Sequence, residues 1–287
     1  MHVHATTTEA RSILTRTSGY LTTVASHSLQ PYRGCSFGQS LCGVGCYVQH
    51  NRFLTGSAPW GSFVVAKTNA AALYRADNER ERRWAQARHG EFSIFMSSAT
   101  DPFLPHEKTF GVSRSILQEM AHAPPDLLIL QTHTHLIMDC ADLITQLASR
   151  CRLRVHISVE SDRERFAGFP APASSVEKRL CAAQKLKKLG VRTVITVAPL
   201  LPICEPEKFF QRLSEVADAV VLDHFIGGDG SKNGTRTKKT MLPTLMASID
   251  PTSPSLLYLD RMVEIANRFL PGRVGVGIDG FAGRLTT

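Results

Sequence analysis

Short apolar runs alternate with longer amphipathic segments along most of the chain. The runs lie at 62–67, 92–97, 127–132, 153–158, 191–197 and 219–223. Such near-continuous apolar stretches are typical of strands that are buried on both faces of a parallel sheet. The polar and mixed segments that separate them predict helices at 69–87, 107–123, 139–149, 176–189 and 206–216.

This alternation predicts an α/β protein in which right-handed helical crossovers connect parallel strands. With one more strand at 28–33, the pattern predicts an open, partial parallel β/α barrel of about six to seven strands. A doubly wound open sheet is the alternative fold. We assign residues 1–27 to an N-terminal extension, 28–226 to the barrel and 227–287 to a C-terminal extension.

The C-terminal extension begins with the glycine-rich basic segment GGDGSKNGTRTKK at 227–239. This segment lacks the spacing of a Walker loop. We interpret it as a mobile, solvated loop, and a substrate lid is the alternative. A helix at 255–269 and a strand at 273–278 follow, which either add a strand to the barrel edge or cover the barrel bottom.

The 287 residues are 43% hydrophobic, which is enough for a sizeable core. The apolar runs are far shorter than the ~18 residues that a spanning helix needs. The first residues lack the apolar segment of a secretory signal. We therefore expect a soluble, cytoplasmic protein without a membrane partner. The net charge of +8 favours a phosphate-rich partner such as nucleic acid, with a solvated basic surface as the alternative.

Three of the seven cysteines fall within the loop RGCSFGQSLCGVGCYVQH, residues 33–50. Cys35, Cys42 and Cys46 have three interpretations: a Cys₃His zinc site completed by His50, unliganded thiols, or an iron–sulfur cluster. Three cysteines would leave one iron of a [4Fe–4S] cube without a protein ligand, open to a substrate or cofactor. The loop follows the first predicted barrel strand, and α/β barrels carry their sites at the carboxyl ends of strands.

The sequence QPYRGCSFGQSLCGVGCYVQHN resembles the cluster loop of radical S-adenosylmethionine (SAM) enzymes, and most of all the spore photoproduct lyase-like group. The matching positions are Pro31, Tyr32, Arg33, Gly34, Cys35, Cys46 and Tyr47. Weaker similarity at 97–108, 156–166 and 176–202 extends the resemblance from about residue 11 to about residue 225.

Two departures from the family pattern stand out. The spacing is Cys-x₆-Cys-x₃-Cys, whereas the superfamily usually has Cys-x₃-Cys-x₂-Cys, and Gly45 stands where an aromatic residue is usual. We expect the small residues of the longer loop to let it still wrap a cube. These residues are Gly38, Ser40, Gly43 and Gly45.

The resemblance implies that Cys35, Cys42 and Cys46 ligate a [4Fe–4S] cluster whose open iron binds SAM. One electron, from a reducing partner such as flavodoxin or ferredoxin, then cleaves SAM. The resulting 5′-deoxyadenosyl radical abstracts hydrogen from a substrate that the sequence leaves unknown. The resemblance also assigns SAM contacts to polar residues beside the loop and at strand ends: Tyr47, Ser98, Thr100, Asp101, Ser158 and Glu160. Turn-forming or capping roles are the alternatives for Asp101, Ser158 and Glu160, and a core position for Tyr47.

Cys204 follows a predicted strand end, and we expect it to face the barrel mouth as a hydrogen donor or thiol contact. In spore photoproduct lyase the hydrogen-donating cysteine resembles a position in the segment matched here by SSATD, residues 97–101, which has no cysteine. This difference argues against the same thymine-dimer repair reaction. Two other functions stay open. One is a zinc- or iron–sulfur-bearing nucleic-acid-binding protein without SAM chemistry, and the other is a degenerate barrel that no longer binds a cluster.

The remaining candidate ligands have simpler interpretations. His133 and His135 with Asp139 suggest a second metal, but without a third clear ligand we favour loop or substrate-facing histidines. We predict that Cys140, Cys151 and Cys181 are small core residues.

Overall fold

The computed structural model describes residues 3–286, in which strands and helices alternate for most of the length. The strands are β1 (His4–Thr8), β2 (Leu14–Arg16), β3 (His27–Leu29), β4 (Tyr32–Gly34), β5 (Phe63–Lys67), β6 (Ser93–Met96), β7 (Leu127–Thr132), β8 (Arg152–Ser158), β9 (Thr193–Val197), β10 (Ala219–Leu222) and β11 (Val274–Val276). The helices are α1 (Leu41–Val44), α2 (Arg52–Thr55), α3 (Ala70–His89), α4 (Glu107–Phe110), α5 (Val112–His122), α6 (Ala141–Ala148), α7 (Val176–Lys188), α8 (Pro206–Val216), α9 (Phe225–Gly228), α10 (Leu242–Ile249), α11 (Leu256–Phe269) and α12 (Gly277–Ala282). Short 3₁₀ segments lie at Gly19–Thr23, Tyr47–His50, His135–Cys140, Lys232–Gly234 and Thr237–Lys239.

The main sheet is an open barrel. Its strand order is β11-β10-β9-β8-β7-β6-β3-β2 within residues 3–286, and every neighbouring pair is parallel except β2 with β3. The two edge strands do not pair with each other, so the barrel does not close. This arrangement confirms the predicted partial β/α barrel over the alternative of a doubly wound sheet.

Alternate residues of each strand face two different environments, because side chains in a strand point to opposite faces. Outward-facing apolar side chains such as Leu128 and Val155 pack in the main core beneath the covering helices. Inward-facing residues near the amino ends, such as Leu127 and Val194, form a smaller apolar cluster inside the barrel. Burial on both faces is the reason that the strands are apolar without alternation.

Two predicted barrel strands are placed differently. The run at 62–67 forms β5, which lies in a separate three-stranded sheet with order β1-β5-β4. The predicted strand at 28–33 is broken into β3, which belongs to the barrel, and β4, which pairs antiparallel with β5. Pro31 lies at the break; it has no N–H for a sheet ladder, and its carbonyl accepts from the Lys67 amide of the small sheet.

The helix boundaries agree with the sequence pattern to within a few residues, but one predicted helix is divided into two. The predicted helix at 107–123 is split into α4 and α5 at Gly111, which has a left-handed φ of 60°. The predicted helix at 139–149 starts later, since the 3₁₀ segment His135–Cys140 precedes it.

The C-terminal extension contributes to both ends of the barrel. Strand β11 pairs with β10 and extends the barrel edge, as one of the two alternatives predicted. The following helix α12 covers the interior at the amino ends, where Phe281 packs edge-on against Phe95.

Most residues of the segment 227–239 are exposed, as expected for a solvated loop, but the segment is anchored at Asp229. The Asp229 carboxylate accepts hydrogen bonds from the backbone N–H groups of Ser231, at 2.8 Å, and Thr237, at 2.7 Å. Asp229 and Thr237 are buried. Local hydrogen bonding to one carboxylate therefore folds this polar segment against the barrel. Among residues 3–286, no helix has the length and apolar content required to cross a membrane.

Candidate active site

Polar and sulfur-containing residues meet at the carboxyl ends of the barrel strands. The cysteine loop follows β4, the segment 97–101 follows β6, His133 follows β7, and Glu160 and Asp223 follow β8 and β10. Electrostatic interaction of the Cys42 thiol with Cys35, Cys46, Glu160 and Asp101 shows that these groups are near neighbours. The structure thus brings the three loop cysteines near the ends of β6 and β8.

The cysteine loop packs against itself so tightly that several positions admit only glycine. A Cβ on Gly43 would lie 2.0 Å from the Gly38 carbonyl oxygen, and one on Gly38 would lie 2.5 Å from the Gly61 Cα. Gly34, which precedes Cys35, has φ of 80° and would place a Cβ 2.4 Å from the Phe63 carbonyl oxygen. The glycines therefore let the longer Cys-x₆-Cys-x₃-Cys loop keep a compact shape.

The C-terminal extension covers this loop. A Cβ on Gly45 would lie 2.4 Å from the Leu242 Cδ2 atom, so α10 occupies the space that a larger residue at this position would need. Leu242 belongs to a buried apolar cluster whose members come from the cysteine loop, from the segments after β8, β9 and β10, and from the extension: Leu41, Phe166, Leu201, Phe225, Leu242 and Met246. The unusual Gly45 is thus matched to a helix that comes from far along the chain.

Backbone and indole N–H groups point at two of the three sulfurs. The amides of Phe37 and Asp101 interact with the Cys35 sulfur. The amides of Val48 and Gln49 and the Trp60 indole interact with the Cys46 sulfur. Such donors stabilise thiolates, and hydrogen bonds to sulfur are a common way for proteins to tune bound clusters.

These donors lower the pKa values of the thiols, but burial raises them by more. Burial raises the pKa of Cys35 to about 12 and that of Cys46 to about 11, and it also raises the pKa of Cys42. Without a metal the thiols are therefore protonated at neutral pH, and a metal that binds them must displace their protons. Within residues 3–286, no group of three or more His, Cys, Asp or Glu side chains is placed to ligate one single metal ion. His50 is exposed.

The segment after β6 is shaped by Gln30, which the sequence analysis did not identify. Its amide nitrogen donates to Ser98 Oγ at 2.7 Å, and its amide oxygen accepts from the Thr100 backbone N–H at 3.2 Å. Ser97, next to them, has φ of 95°. A non-glycine residue in this region is strained, and such strain is concentrated at functional sites.

Asp101 links β6 to β7. Its carboxylate accepts from the Thr132 hydroxyl at 3.0 Å, from the His133 backbone N–H at 2.7 Å and from the Phe103 backbone N–H at 2.8 Å. These bonds fix the turn after β6, and the Asp101 backbone N–H lowers the pKa of the nearby Cys35 thiol. The assignment of Asp101 as a SAM contact stays a prediction.

Glu160 is held between a buried arginine and a half-buried histidine. Its Oε2 atom accepts from Arg179 Nη1 at 2.7 Å, and its Oε1 atom lies 2.9 Å from His133 Nδ1. Although burial opposes ionisation, the Arg179 and His133 side chains hold the pKa of Glu160 well below its usual range. The carboxylate thus orients the His133 ring, which is partly exposed. His135 instead bonds Ser174 at 2.7 Å.

Inside the barrel, Ser158 belongs to a buried polar network. The Gln131 amide nitrogen donates to Ser158 Oγ at 2.7 Å and to Thr196 Oγ1 at 3.1 Å. The amide oxygen of Gln131 is buried without a partner. A buried acceptor of this kind is costly unless a ligand or water satisfies it. The sequence analysis did not identify Gln131. The feature that could have pointed to it is a polar glutamine within the apolar run 127–132.

Tyr47 and Asp223 lie where the extension meets the barrel mouth. The Arg236 guanidinium carbon is 5.9 Å from the Tyr47 ring centroid. Burial raises the pKa of Tyr47 to about 12. Burial, together with the nearby Asp229 carboxylate, raises the pKa of Asp223 to about 7. Asp223 is therefore a carboxyl group able to exchange a proton near neutral pH, and the sequence analysis did not identify it.

The other cysteines lie away from the loop. Cys140 is buried, as predicted, and Cys151 is half-buried. The prediction for Cys181 is wrong, because it lies on the exposed face of α7. Cys204 is also exposed, with its sulfur against the Arg163 guanidinium and its amide donating to Asp162 at 3.0 Å. Its role as a hydrogen donor stays a prediction.

Comparison with known proteins gives two kinds of match. No family model matches the chain. An uncharacterized protein of Acidianus two-tailed virus is 28% identical over 185 residues, which cover 61% of this chain and 56% of the relative. An uncharacterized protein of Methanocaldococcus jannaschii is 26% identical over 182 residues, which cover 62% of this chain and 61% of the relative. The chain therefore matches less than two thirds of each relative's length.

Solved structures give the second match. Spore photoproduct lyase complexed with dinucleoside spore photoproduct superimposes with a TM-score of 0.62 and 13% identity, over 95% of this chain and 81% of that one. A mutant of the same enzyme with bound AdoMet and dinucleoside spore photoproduct gives a TM-score of 0.62 and 12% identity, over 94% and 80%. This chain has the fold of spore photoproduct lyase. The resemblance seen in the cysteine loop is thus matched by the architecture around it.

The contact between Gly45 and Leu242 predicts a compensating pair of substitutions. Gly45→Phe overpacks the interface by about 1–3 kcal/mol, and Leu242→Ala leaves a cavity that costs about 2–5 kcal/mol. We expect the double variant to be more stable than the sum of the two losses by about 1 kcal/mol or more. Thermal unfolding of the four proteins measures this coupling, and strictly additive losses would contradict the contact.

The raised pKa of Asp223 predicts a pH-dependent stability. In the unfolded chain the pKa of this carboxyl is near the usual 3.8 of an aspartate, but in the folded protein the pKa is about 7. Its contribution to stability is therefore full below about pH 4 and is lost as the pH rises through 7. Asp223→Asn cannot ionise, so its unfolding free energy should exceed that of the unchanged protein by roughly 1–4 kcal/mol at pH 8.

This difference should vanish toward pH 4. Unfolding of the protein, recorded from pH 4 to 8, tests it against Asp260→Asn, which removes an exposed carboxylate on α11. A difference for Asp223→Asn that does not change with pH would refute the raised pKa.

Proposed function

We propose that this protein is a radical SAM enzyme of the spore photoproduct lyase-like group, in which Cys35, Cys42 and Cys46 hold a [4Fe–4S] cluster. The observation that carries the proposal is the set of three thiols on one glycine-packed loop, with Cys35 buried, Cys42 and Cys46 half-buried, and N–H groups beside the Cys35 and Cys46 sulfurs. This loop stands at the carboxyl end of a barrel with the spore photoproduct lyase fold.

The donor set fits a cluster better than a single ion. In a cube each thiolate binds a different iron, so the three sulfurs need not surround one point. The lack of a single-ion group among residues 3–286 agrees with this distribution. The Cys₃His zinc hypothesis would instead need His50 and the three thiols around one ion, and His50 is exposed.

The residues beside the loop also fit SAM. The unpartnered amide oxygen of Gln131 accepts a hydrogen bond from an amino or hydroxyl group of a ligand inside the barrel mouth. His133, oriented by Glu160, presents its other ring nitrogen to the site as a partner for a carboxylate. The mutant of spore photoproduct lyase with the same fold has AdoMet bound.

A [4Fe–4S] cluster held by Cys35, Cys42 and Cys46 would supply the electron for the reductive cleavage of SAM. The chain's own residues hold and shield these groups. Asp101 and Gln30 fix the turn after β6, and Glu160 with Arg179 fixes His133. Leu242 and its apolar neighbours cover the loop and exclude water from its outer side.

A nucleic acid is the first substrate class to test. The spore photoproduct lyase structures contain a dinucleoside ligand, and this chain carries a net charge of +8. The absence of a cysteine in 97–101 favours a reaction other than thymine-dimer repair. A reductant such as flavodoxin or ferredoxin is required by the proposed chemistry. The runner-up is a nucleic-acid-binding protein whose zinc or iron–sulfur site has no SAM chemistry.

Anaerobic reconstitution tests the proposal. The protein is loaded with iron and sulfide, reduced with dithionite, and examined by EPR with and without SAM, and 5′-deoxyadenosine is then measured. We expect a reduced-cluster signal that changes on addition of SAM, and formation of 5′-deoxyadenosine. Cys42→Ala should lower that yield at least 100-fold, since loss of one protein ligand disrupts the site and supporting residues alone cost 10–100-fold.

Cys181→Ala is the matched control, because it removes an exposed cysteine of α7 outside the loop. It should keep the full iron content and the full yield. Stoichiometric zinc without a cluster, or a cluster that neither responds to SAM nor yields 5′-deoxyadenosine, would overturn the radical SAM function and favour the runner-up.

A further inference from the structure

A cavity of about 690 Å³ opens at the end of the barrel opposite the cysteine loop. Its walls come from the first residues of β7 to β10, from the 3₁₀ segment Gly19–Thr23 and from α12 with the residues after it. The proposed radical chemistry uses none of these residues. The volume lies within the range of about 300–1,000 Å³ that small-molecule sites occupy.

The charged residues in the cavity wall are strongly unbalanced in sign. Four arginines, Arg152, Arg154, Arg192 and Arg284, line it with one carboxylate, Glu91. Arg152 pairs with Glu91, and Arg284 pairs with Asp279 outside the wall. Within residues 3–286, neither Arg154 nor Arg192 has a carboxylate at salt-bridge distance. Two guanidinium groups in the wall are therefore available to an anion.

Arg154 is held in place by the covering helix. It lies on the inward face of β8, and its Nη1 atom is 2.0 Å from where a Cβ on Gly283 would stand. Gly283 follows α12 and has a left-handed φ of 87°, which favours glycine. The closeness of Arg154 is a second reason for glycine at this position. A side chain here would push the guanidinium away. The end of α12 is thus shaped around Arg154.

His156 is the inward-facing neighbour of Arg154 on β8. It lies two residues further along the same face of β8, fully buried, and both of its ring nitrogens lack a partner. Burial and the charge of Arg154 lower the pKa of His156 to about 3, so the ring is neutral. Burial, followed by Arg192 and Arg152, also lowers the pKa of Arg154, to about 10.

We propose that this cavity binds the phosphate group of a small phosphorylated molecule, with Arg154 and Arg192 as its principal ligands. Guanidinium groups form bidentate hydrogen bonds with phosphate and are preferred where it must be bound with defined geometry. Apolar side chains complete part of the wall and suit the body of such a ligand: Val24, Leu127, Leu153, Val194, Val221 and Leu285. A nucleic-acid backbone carries the same phosphate chemistry, but a concave cavity of this size suits a compact ligand.

Calorimetric titration of the cluster-loaded, full-length protein tests the site with two probes at constant ionic strength. The first probe is ADP, and the second is a single-stranded DNA oligonucleotide without terminal phosphate. We expect saturable ADP binding that Arg154→Gln/Arg192→Gln weakens at least tenfold. Arg83→Gln, which removes an exposed arginine on α3 outside the cavity, should leave it unchanged.

Gly283→Ala provides a second variant that keeps every charge. It should weaken ADP binding through displacement of Arg154, while 5′-deoxyadenosine formation at the opposite end continues. Thermal unfolding without ligand checks that the variants fold. Arg154→Gln removes an unpaired, half-buried charge, so it should not lower the midpoint of thermal unfolding. No saturable ADP binding, ADP binding that the double variant does not weaken, or arginine-dependent binding of the oligonucleotide alone would each overturn the proposal.

Discussion

The close approach of backbone to backbone in the cysteine loop is the constraint on which the candidate site depends. Gly43 lies against the Gly38 carbonyl, and Gly38 lies against Gly61, with no space for a Cβ at either contact. This packing holds three thiols in one small region even though the loop is longer than the family's usual spacing. Amides from the same loop then point at the Cys46 sulfur. A loop with ordinary side chains would have to open, and the cysteines would separate.

The two ends of the barrel differ in electrostatic character. At the carboxyl ends, the Asp101 and Glu160 carboxylates are buried but fully engaged by amides, hydroxyls, Arg179 and His133. At the amino ends, Arg154 is half-buried and has no carboxylate partner among the described residues. A carboxylate that is hydrogen-bonded on both oxygens positions its neighbours, whereas an unpaired charge favours a ligand of opposite sign. The proposed cluster site and the proposed anion site therefore lie at opposite ends of the barrel.

Sequence reasoning predicted the barrel and the cysteine site because their signals are local. An apolar run such as 127–132 identifies a buried strand by itself, and three cysteines with glycines between them identify a thiol site by themselves. It failed where the answer depends on a distant partner. The run at 62–67 has the same composition as the barrel strands, and only its pairing with β1 and β4 removes it from the barrel. The sequence pattern predicted the helix that contains Cys181, but it did not show on which face of that helix the side chain lies. Cys181 was therefore assigned wrongly to the core.

The sequence by itself determined the open α/β barrel and the cysteine loop, because hydrophobic period and residue spacing are properties of short segments. The tertiary structure alone decided which side chains meet. It placed Leu242 over Gly45, Arg154 against Gly283, and Asp223 beside Asp229. In each of the first two pairs the partners are more than about a hundred residues apart in the sequence. No local sequence pattern can therefore predict these contacts. Their energies come from close packing and low dielectric, which exist only once the barrel has formed.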